Sequence, residues 1–310
     1  MNDEILIVAG PTASGKSTLA LSIAERFGGT IINADSMQVY RGLPILTAQP
    51  DDAALRRAPH RLYGEIDPAE GFSAGAWRQR AIVEIAETRA AARLPILVGG
   101  TGLYLRALLQ GLAPTPPIAP ALRHAARALY AAVGAAAFHD ALRRLDPEAA
   151  ARLNPGDTQR VIRAYEVATA TGRTLGEWQR DHPAAPGFSA RAVVLLPPRR
   201  CLYAACDARF LDMVQRGAAR EVEALLGRGL SEELPAMRAL GVRELAAWLR
   251  GERDREGAIA AAQQATRNYV KRQSTWFRRQ LPETESLRKR IFAEQFSERL
   301  LPDVCSFIRQ

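Results

Sequence analysis

The apolar positions of this chain fall into two regimes. Over the first third, short apolar runs alternate with amphipathic stretches. Ile5-Leu6-Ile7-Val8-Ala9 is apolar without interruption, the pattern of a strand buried on both faces. A glycine-rich turn follows, and residues 17–27 carry helical spacing. Thr30-Ile31-Ile32-Asn33-Ala34 predicts a second strand, and residues 74–93 a long helix. Pro95-Ile96-Leu97-Val98 predicts a third strand, and residues 103–109 another helix. Strands alternating with helices imply an α/β fold on a parallel sheet.

The second regime begins at Pro114-Thr115-Pro116-Pro117-Ile118-Ala119-Pro120, a proline-rich joint. Residues 121–179 are almost wholly helical in pattern, and His182-Pro183-Ala184-Ala185-Pro186-Gly187 closes the block. Ala192-Val193-Val194-Leu195-Leu196 is strand-like again, and from about residue 204 the pattern is mostly helical. The simplest organisation is an α/β core from residues 1–113 and 187–310 with a helical C-terminal part, interrupted by a helical insertion domain at 114–186. The tail after Pro282 has the pattern of a docked helix.

Composition narrows the class. The chain has 310 residues, 47% of them hydrophobic, ample for a core. No apolar run reaches the length of a membrane span, and the acidic start Met1-Asn2-Asp3-Glu4 lacks a secretory lead, so a cytoplasmic protein is expected. Cys201, Cys206 and Cys305 form no CxxC pair, and the four histidines show no metal-ligand spacing. The net charge of +9 suggests a polyanionic partner, but arginine bias dilutes that signal: of 42 basic side chains only Lys16, Lys271 and Lys289 are lysines. A lysine kept in such a chain marks a position that wants a compact ammonium rather than a planar guanidinium.

Lys16 stands in Gly10-Pro11-Thr12-Ala13-Ser14-Gly15-Lys16-Ser17, a complete GxxxxGK[ST] match between a strand and a helix. The glycines let backbone N–H groups turn inward around phosphate oxygens, and the helix aims its positive end at the anion. The loop, with Thr18, is therefore a diphosphate-binding candidate, and the Ser17 hydroxyl a Mg²⁺ ligand, alone or with Asp35. This makes the sheet P-loop NTPase-like. A P-loop reports a diphosphate or triphosphate, not a reaction, so kinases, ATPases and other transferases stay open. Asp35 follows the second strand, where carboxyl ends of strands face the ligand crevice. It has three open roles: holding Mg²⁺, accepting a proton, or capping the next segment.

The residues around Asp35 carry a resemblance. Asn33-Ala34-Asp35-Ser36-Met37-Gln38-Val39-Tyr40-Arg41-Gly42, after this P-loop, closely resembles the tRNA dimethylallyltransferases. So do Gly99-Gly100-Thr101-Gly102-Leu103-Tyr104-Leu105, Asp157-Thr158-Gln159-Arg160-Val161-Ile162-Arg163-Ala164 and Lys271-Arg272-Gln273-Ser274-Thr275-Trp276-Phe277-Arg278, in family order. Three places depart from the family pattern. Gly241-Val242-Arg243 stands for Gly-Tyr-Arg, Leu46-Thr47-Ala48-Gln49-Pro50 for Gly-Thr-Ala-Lys-Pro, and His60-Arg61 for paired histidines.

The resemblance implies transfer of a dimethylallyl group from dimethylallyl diphosphate to N6 of the adenine 3′ of the anticodon, with pyrophosphate leaving. It implies that the P-loop holds the donor's diphosphate, that Lys16, Ser17 and Mg²⁺ offset charge on the leaving group, and that Arg209 binds pyrophosphate. Asp35 resembles the base that takes the amine proton, and Thr101 a catalytic and tRNA contact. Ser36, Met37, Gln38, Arg123, Gln159, Arg160, Arg163, Arg238 and Arg243 fall at tRNA-contacting positions of the family. Independently of it, Arg267, Lys271, Ser274 and Arg278 recur on one helix face, with Arg272 on a neighbouring stripe, and no acid intervenes between them. That face is either solvated or an RNA backbone contact; the charge pattern favours RNA. Trp276 fits core better than a stacking platform. The expected partner is a tRNA anticodon stem-loop, bound by a monomer. The rival readings are a P-loop kinase of small molecules or nucleotides, a prenyltransferase for free adenine nucleotides, and a non-catalytic RNA-binding module.

Overall fold

A computed structural model describes residues 4–113, 115–181, 188–281, 287–293 and 300–309. The chain divides into two compact units, one of residues 1–110 with 186–310, the other of residues 111–185. In the larger unit the elements run β1 (Glu4–Ala9), α1 (Lys16–Phe27), β2 (Gly29–Asn33), α2 (Asp52–Arg57), β3 (His60–Arg61), α3 (Ala74–Ala90), β4 (Leu94–Gly99) and α4 (Gly102–Gln110). The insertion supplies α5 (Pro120–Leu145), α6 (Pro147–Arg152), α7 (Thr158–Thr171) and α8 (Leu175–Asp181). The chain then returns as β5 (Ser189–Leu195), α9 (Arg199–Gln215), α10 (Ala218–Leu226), α11 (Val242–Leu249), α12 (Arg255–Arg279), β6 (Leu287–Ala293) and α13 (Leu300–Arg309).

Among the described residues six strands form one parallel sheet in the order β3-β2-β4-β1-β5-β6. The uninterrupted apolar runs have a simple cause: the strands are covered on both faces. Ile5, Ile7, Ile32, Leu97 and Val194 face Trp77, Ile85, Tyr104 and Phe277. Leu6, Val8, Ile31, Ile96 and Val193 face Leu19, Ile23, Val304 and Phe307. Trp77 stacks on Tyr104 at 4.4 Å and donates its indole N–H to the Asn33 carbonyl at 2.8 Å, which fixes the end of β2 from below. A third apolar cluster, with Leu43, Leu46, Phe210, Met213, Val242 and Leu245, packs the loop after β2 against α9–α11.

The insertion has its own small core of Phe138, Leu142, Ala149, Val161 and Ala164. Its long first helix is not continuous: Gly134 sits at φ 78°, a left-handed conformation that breaks α5 in two.

One expectation needs correction and another an addition. The helix expected over 74–93 stops at Ala90, because Ala92 turns left-handed at φ 54° and the Arg93 N–H bonds back to Thr88 at 3.0 Å. Arg93 then donates to Thr30 and to the Gly29 carbonyl, which tethers the entry to β4. The docked helix expected after Pro282 is present, but the tail is more than that. It contributes a strand first, β6, parallel to β5, and only then α13 with Val304 and Phe307 in the core. Leu287-Arg288-Lys289-Arg290-Ile291-Phe292-Ala293 is too charged to look like a buried strand. At a sheet edge, main-chain pairing replaces the apolar signature. Among the described residues no helix is long and apolar enough to cross a membrane.

Candidate active site

The phosphate loop leaves β1 at Gly10 and enters α1 at Lys16. Gly10 sits at φ 154°, and a Cβ there would lie 2.5 Å from the Leu195 carbonyl oxygen, so only glycine fits between the strand ends. Gly15 caps α1 at φ 83° and carries no side chain to block the helix N-terminus. Pro11, Ala13 and Ser14 complete the bend, the Ser14 N–H closing on the Pro11 carbonyl at 3.3 Å. Ser17 and Thr18 lie exposed on the first turn. The Lys16 ammonium folds back over the loop, 3.4 Å from the Pro11 carbonyl. Its enclosure lowers its pKa to about 8; Asp35 opposes that shift, Arg209 adds to it and Cys206 opposes it weakly. An anion bound here would therefore find a cation that is already partly shielded from water.

Asp35 is set by Asn33. The Asn33 amide donates to the Asp35 carbonyl at 3.0 Å and to the Leu62 carbonyl at 2.9 Å, while its Oδ1 accepts the Asp35 N–H at 2.8 Å. One Asp35 oxygen accepts the Met37 N–H at 2.9 Å, so the capping role left open in the sequence is real but occupies a single oxygen. The carboxylate helps push the phenols of Tyr63, Tyr104 and Tyr269 well up from their ordinary range, after the larger effect of burial. Thr101 does not cap α4 with its hydroxyl. That oxygen accepts the Ser36 N–H at 2.9 Å, donates to the Ser36 hydroxyl at 3.3 Å and meets the Tyr269 phenol.

Arg209 on α9 crosses to the phosphate loop and donates to the Thr12 hydroxyl at 2.6 Å. Burial lowers its pKa, and Cys206 and Asp35 work against that. A cavity of about 220 Å³ opens between these groups. Its polar lining includes Thr12, Asp35, Ser36 and Arg209, its apolar lining Leu46, Phe210, Met213 and Leu240, and Arg238, Tyr269 and Arg272 line it too. The Arg272 guanidinium lies over the Tyr269 ring at 5.5 Å. Sequence reasoning missed Phe210, Met213 and Tyr269, which come from helices, and Leu240, from the turn before α11, because no local motif announces how these segments pack. Ser17, Gln38 and Gln49 instead line a neighbouring cavity of about 350 Å³ with His60 and Tyr63.

Other expected contacts scatter. Gln38 spends its amide on the Thr47 and Ala48 carbonyls, 2.9 and 2.6 Å away, and holds the loop rather than pointing out. Arg243 is exposed at the start of α11. On α12, Lys271 and Arg278 are exposed, whereas Ser274 is 4% exposed and belongs to the inner face. Arg267 corrects the expectation of an unopposed basic stripe: Asp207 of α9 pairs with it at 2.7 and 2.8 Å. The acid is 60 residues away in sequence and adjacent in space. In the insertion, Arg123, Gln159 and Arg160 are exposed, Arg160 reaching Asp157 at 2.8 Å. Arg163 is half-buried, donates to Thr115 at 2.9 Å, and has its pKa lowered by burial, with Glu166 opposing and Arg123 adding. Two of the three departures from the family pattern have internal partners: Val242 is 1% exposed, and the Gln49 amide bonds the Tyr40 carbonyl at 2.8 Å, whereas Arg61 is exposed and reaches Glu84 at 3.5 Å.

A family model described as IPP transferase matches residues 38–280. The chain belongs to that family. It is 56% identical over 279 residues to the tRNA dimethylallyltransferase of Rhodospirillum centenum, covering 89% of each chain. It is 50% identical over 301 residues to that of a Caulobacter species, covering 97% of each. Among solved structures it is similar to a full-length tRNA isopentenylpyrophosphate transferase from Bacillus halodurans, at 31% identity and TM-score 0.69, over 99% of this chain and 96% of that one. It is also similar to a eukaryotic dimethylallyltransferase acting on tRNA, at 25% identity and TM-score 0.83, over 99% and 78%.

Proposed function

We propose that this protein transfers a dimethylallyl group from dimethylallyl diphosphate to N6 of the adenine 3′ of the anticodon in tRNA. The observation that carries the reading is one cavity lined both by Asp35, Thr12 and Arg209 and by Leu46, Phe210 and Met213. An acid, an anion grip and a small apolar wall in one space suit a short prenyl donor and an amine acceptor. The P-loop backbone, Lys16 and Arg209 hold the diphosphate. The bond between its oxygen and the allylic carbon breaks, and the electron pair leaves with pyrophosphate. N6 bonds the carbon, and its proton passes to the Asp35 carboxylate. Thr101 orients the Ser36 turn that carries this acid. For the base to arrive, the adenine must leave its stack. The exposed Arg123, Gln159, Arg160, Arg238, Arg243, Lys271, Arg272 and Arg278 supply candidate contacts to the stem-loop.

Mg²⁺ fits only as a shared ion. Among the described residues no cluster of three or more His, Cys, Asp or Glu side chains is placed to hold a metal. Ser17 and Asp35 line different cavities, so they form no ready cage. Ser17 would hold the ion, with oxygens of the diphosphate and water filling the other positions, as Mg²⁺ commonly binds. There it would offset charge on the leaving group. No nucleotide hydrolysis is needed, because the donor brings its own leaving group.

The test offers labelled dimethylallyl diphosphate with Mg²⁺ to the protein together with tRNA, with AMP, or with neither. Label should enter tRNA alone, with one pyrophosphate per prenylated adenine. Dependence on ATP with release of ADP would hand the reading to a P-loop kinase.

A further inference from the structure

Two long-range hydrogen bonds tie α12 to the loops at the strand ends. The Gln273 side chain, 5% exposed, accepts the Thr12 N–H on Oε1 at 2.9 Å and donates from Nε2 to the Gly100 carbonyl at 3.0 Å. Thr12 belongs to the phosphate loop. Gly100 precedes Thr101, whose hydroxyl holds the Ser36 turn beside Asp35. One amide thus bridges the loop that grips the anion and the loop that steadies the acid. The fit has no slack: a Cβ on Gly100 would lie 2.3 Å from Gln273 Nε2. One turn earlier on the same helix, Tyr269 meets Thr101 and supports the second loop again.

The chemistry of the bridge is restrictive. It needs an acceptor and a donor on the same carbon of one neutral group, and the glutamine amide supplies both. Because Gln273 takes the Thr12 N–H, that amide is not offered to phosphate, so the grip must come from the amides further along the loop. The bridge therefore acts on the loop's shape. We infer that Gln273 is a positioning residue for transfer: it sets the phosphate loop relative to the Asp35 turn without touching either substrate. This rests on the reading of function given above.

Three measurements test it, with the wild-type protein turning over dimethylallyl diphosphate and tRNA as the entry condition. If wild type fails there, the proposed function falls and Gln273 is not at issue. Gln273→Met keeps the volume and removes both bonds, leaving a backbone donor and acceptor unpaired. Transfer should fall about 10- to 100-fold in kcat/KM for the donor, with tRNA affinity within about twofold. Unchanged donor kinetics, or a loss confined to tRNA affinity, overturns the inference. Gln273→Glu keeps the shape, and its protonated form again offers an acceptor to Thr12 and a donor to Gly100. Its activity relative to wild type at the same pH should rise as pH falls. Lys16, Asp35, Cys206, Arg209 and Tyr269 are the charged and titratable groups around the same loops, present in both proteins, and the ratio to wild type removes the pH dependence the two share. A flat ratio overturns the inference even if Gln273→Met does not fold.

Discussion

The two walls of the site are built on opposite plans. The phosphate loop is nine consecutive residues, Gly10 to Thr18, whose grip comes largely from backbone and from one helix end. The wall facing it comes from α9 and α12, whose Arg209, Tyr269 and Gln273 reach loops about 170 to 260 residues away in sequence. The first plan tolerates many side chains but almost no Cβ at its glycines. The second depends on side-chain identity and hardly on local sequence. A loop of the first kind binds an anion in many proteins; the second kind of wall decides what the anion is attached to and how it meets the acid.

Breaking the phosphate wall should cost most. Lys16→Ala should lower kcat/KM by roughly 10³-fold or more, since it removes the charge aimed at the leaving group. A folded variant with near-normal turnover would remove the loop from catalysis. Asp35→Asn keeps shape and capping and loses the base, so kcat should drop roughly 10²–10⁴-fold with pyrophosphate affinity largely retained. Loss of pyrophosphate binding with normal chemistry on bound donor would make Asp35 a metal-holding residue instead.

Between the walls, Gly100→Ala should act from a distance. Its Cβ must displace the Gln273 amide, and donor kcat/KM should fall about tenfold while the melting curve moves little. Lys16 sharpens the electrostatics of the first wall. Its pKa of about 8 means that above pH 8 the free protein carries it mostly neutral. Bound pyrophosphate favours the charged form, so binding at pH 9 should take up a proton, seen as a buffer-dependent heat by calorimetry, and should weaken as pH rises further. Gln substituted at Lys16 should abolish the uptake; its persistence would point to another group.

The outer face of α12 gives the smallest effects and separates two arginine roles. Replacing Lys271 and Arg278 with alanine should flatten the log–log salt dependence of tRNA binding by roughly 0.7 per lost contact. Arg267→Ala should leave that slope alone and lower stability by less than about 1 kcal/mol, because its partner is Asp207 and the pair is partly solvated. A slope change in Arg267→Ala would mean that RNA displaces Asp207.

The sequence by itself determined the parallel sheet, the P-loop and the neighbourhood of Asp35. Each is written in consecutive residues: an apolar run for a strand covered on both faces, glycines where the backbone turns left-handed, an acid at a strand end. It also carried the family's blocks, and with them Arg209, which composition alone leaves indistinguishable from the other arginines. Only the tertiary structure decided that Thr101 holds Ser36, that Gln38 is spent inside its own loop, and that Arg267 faces an acid. It alone made β6 a strand, since an edge strand is specified by the main chain of its neighbour. Gln273 shows the limit most plainly. In sequence it is a polar residue in a basic helix; in space it is a bridge, because a side-chain amide takes its meaning from two backbone groups that the chain brings near only on folding.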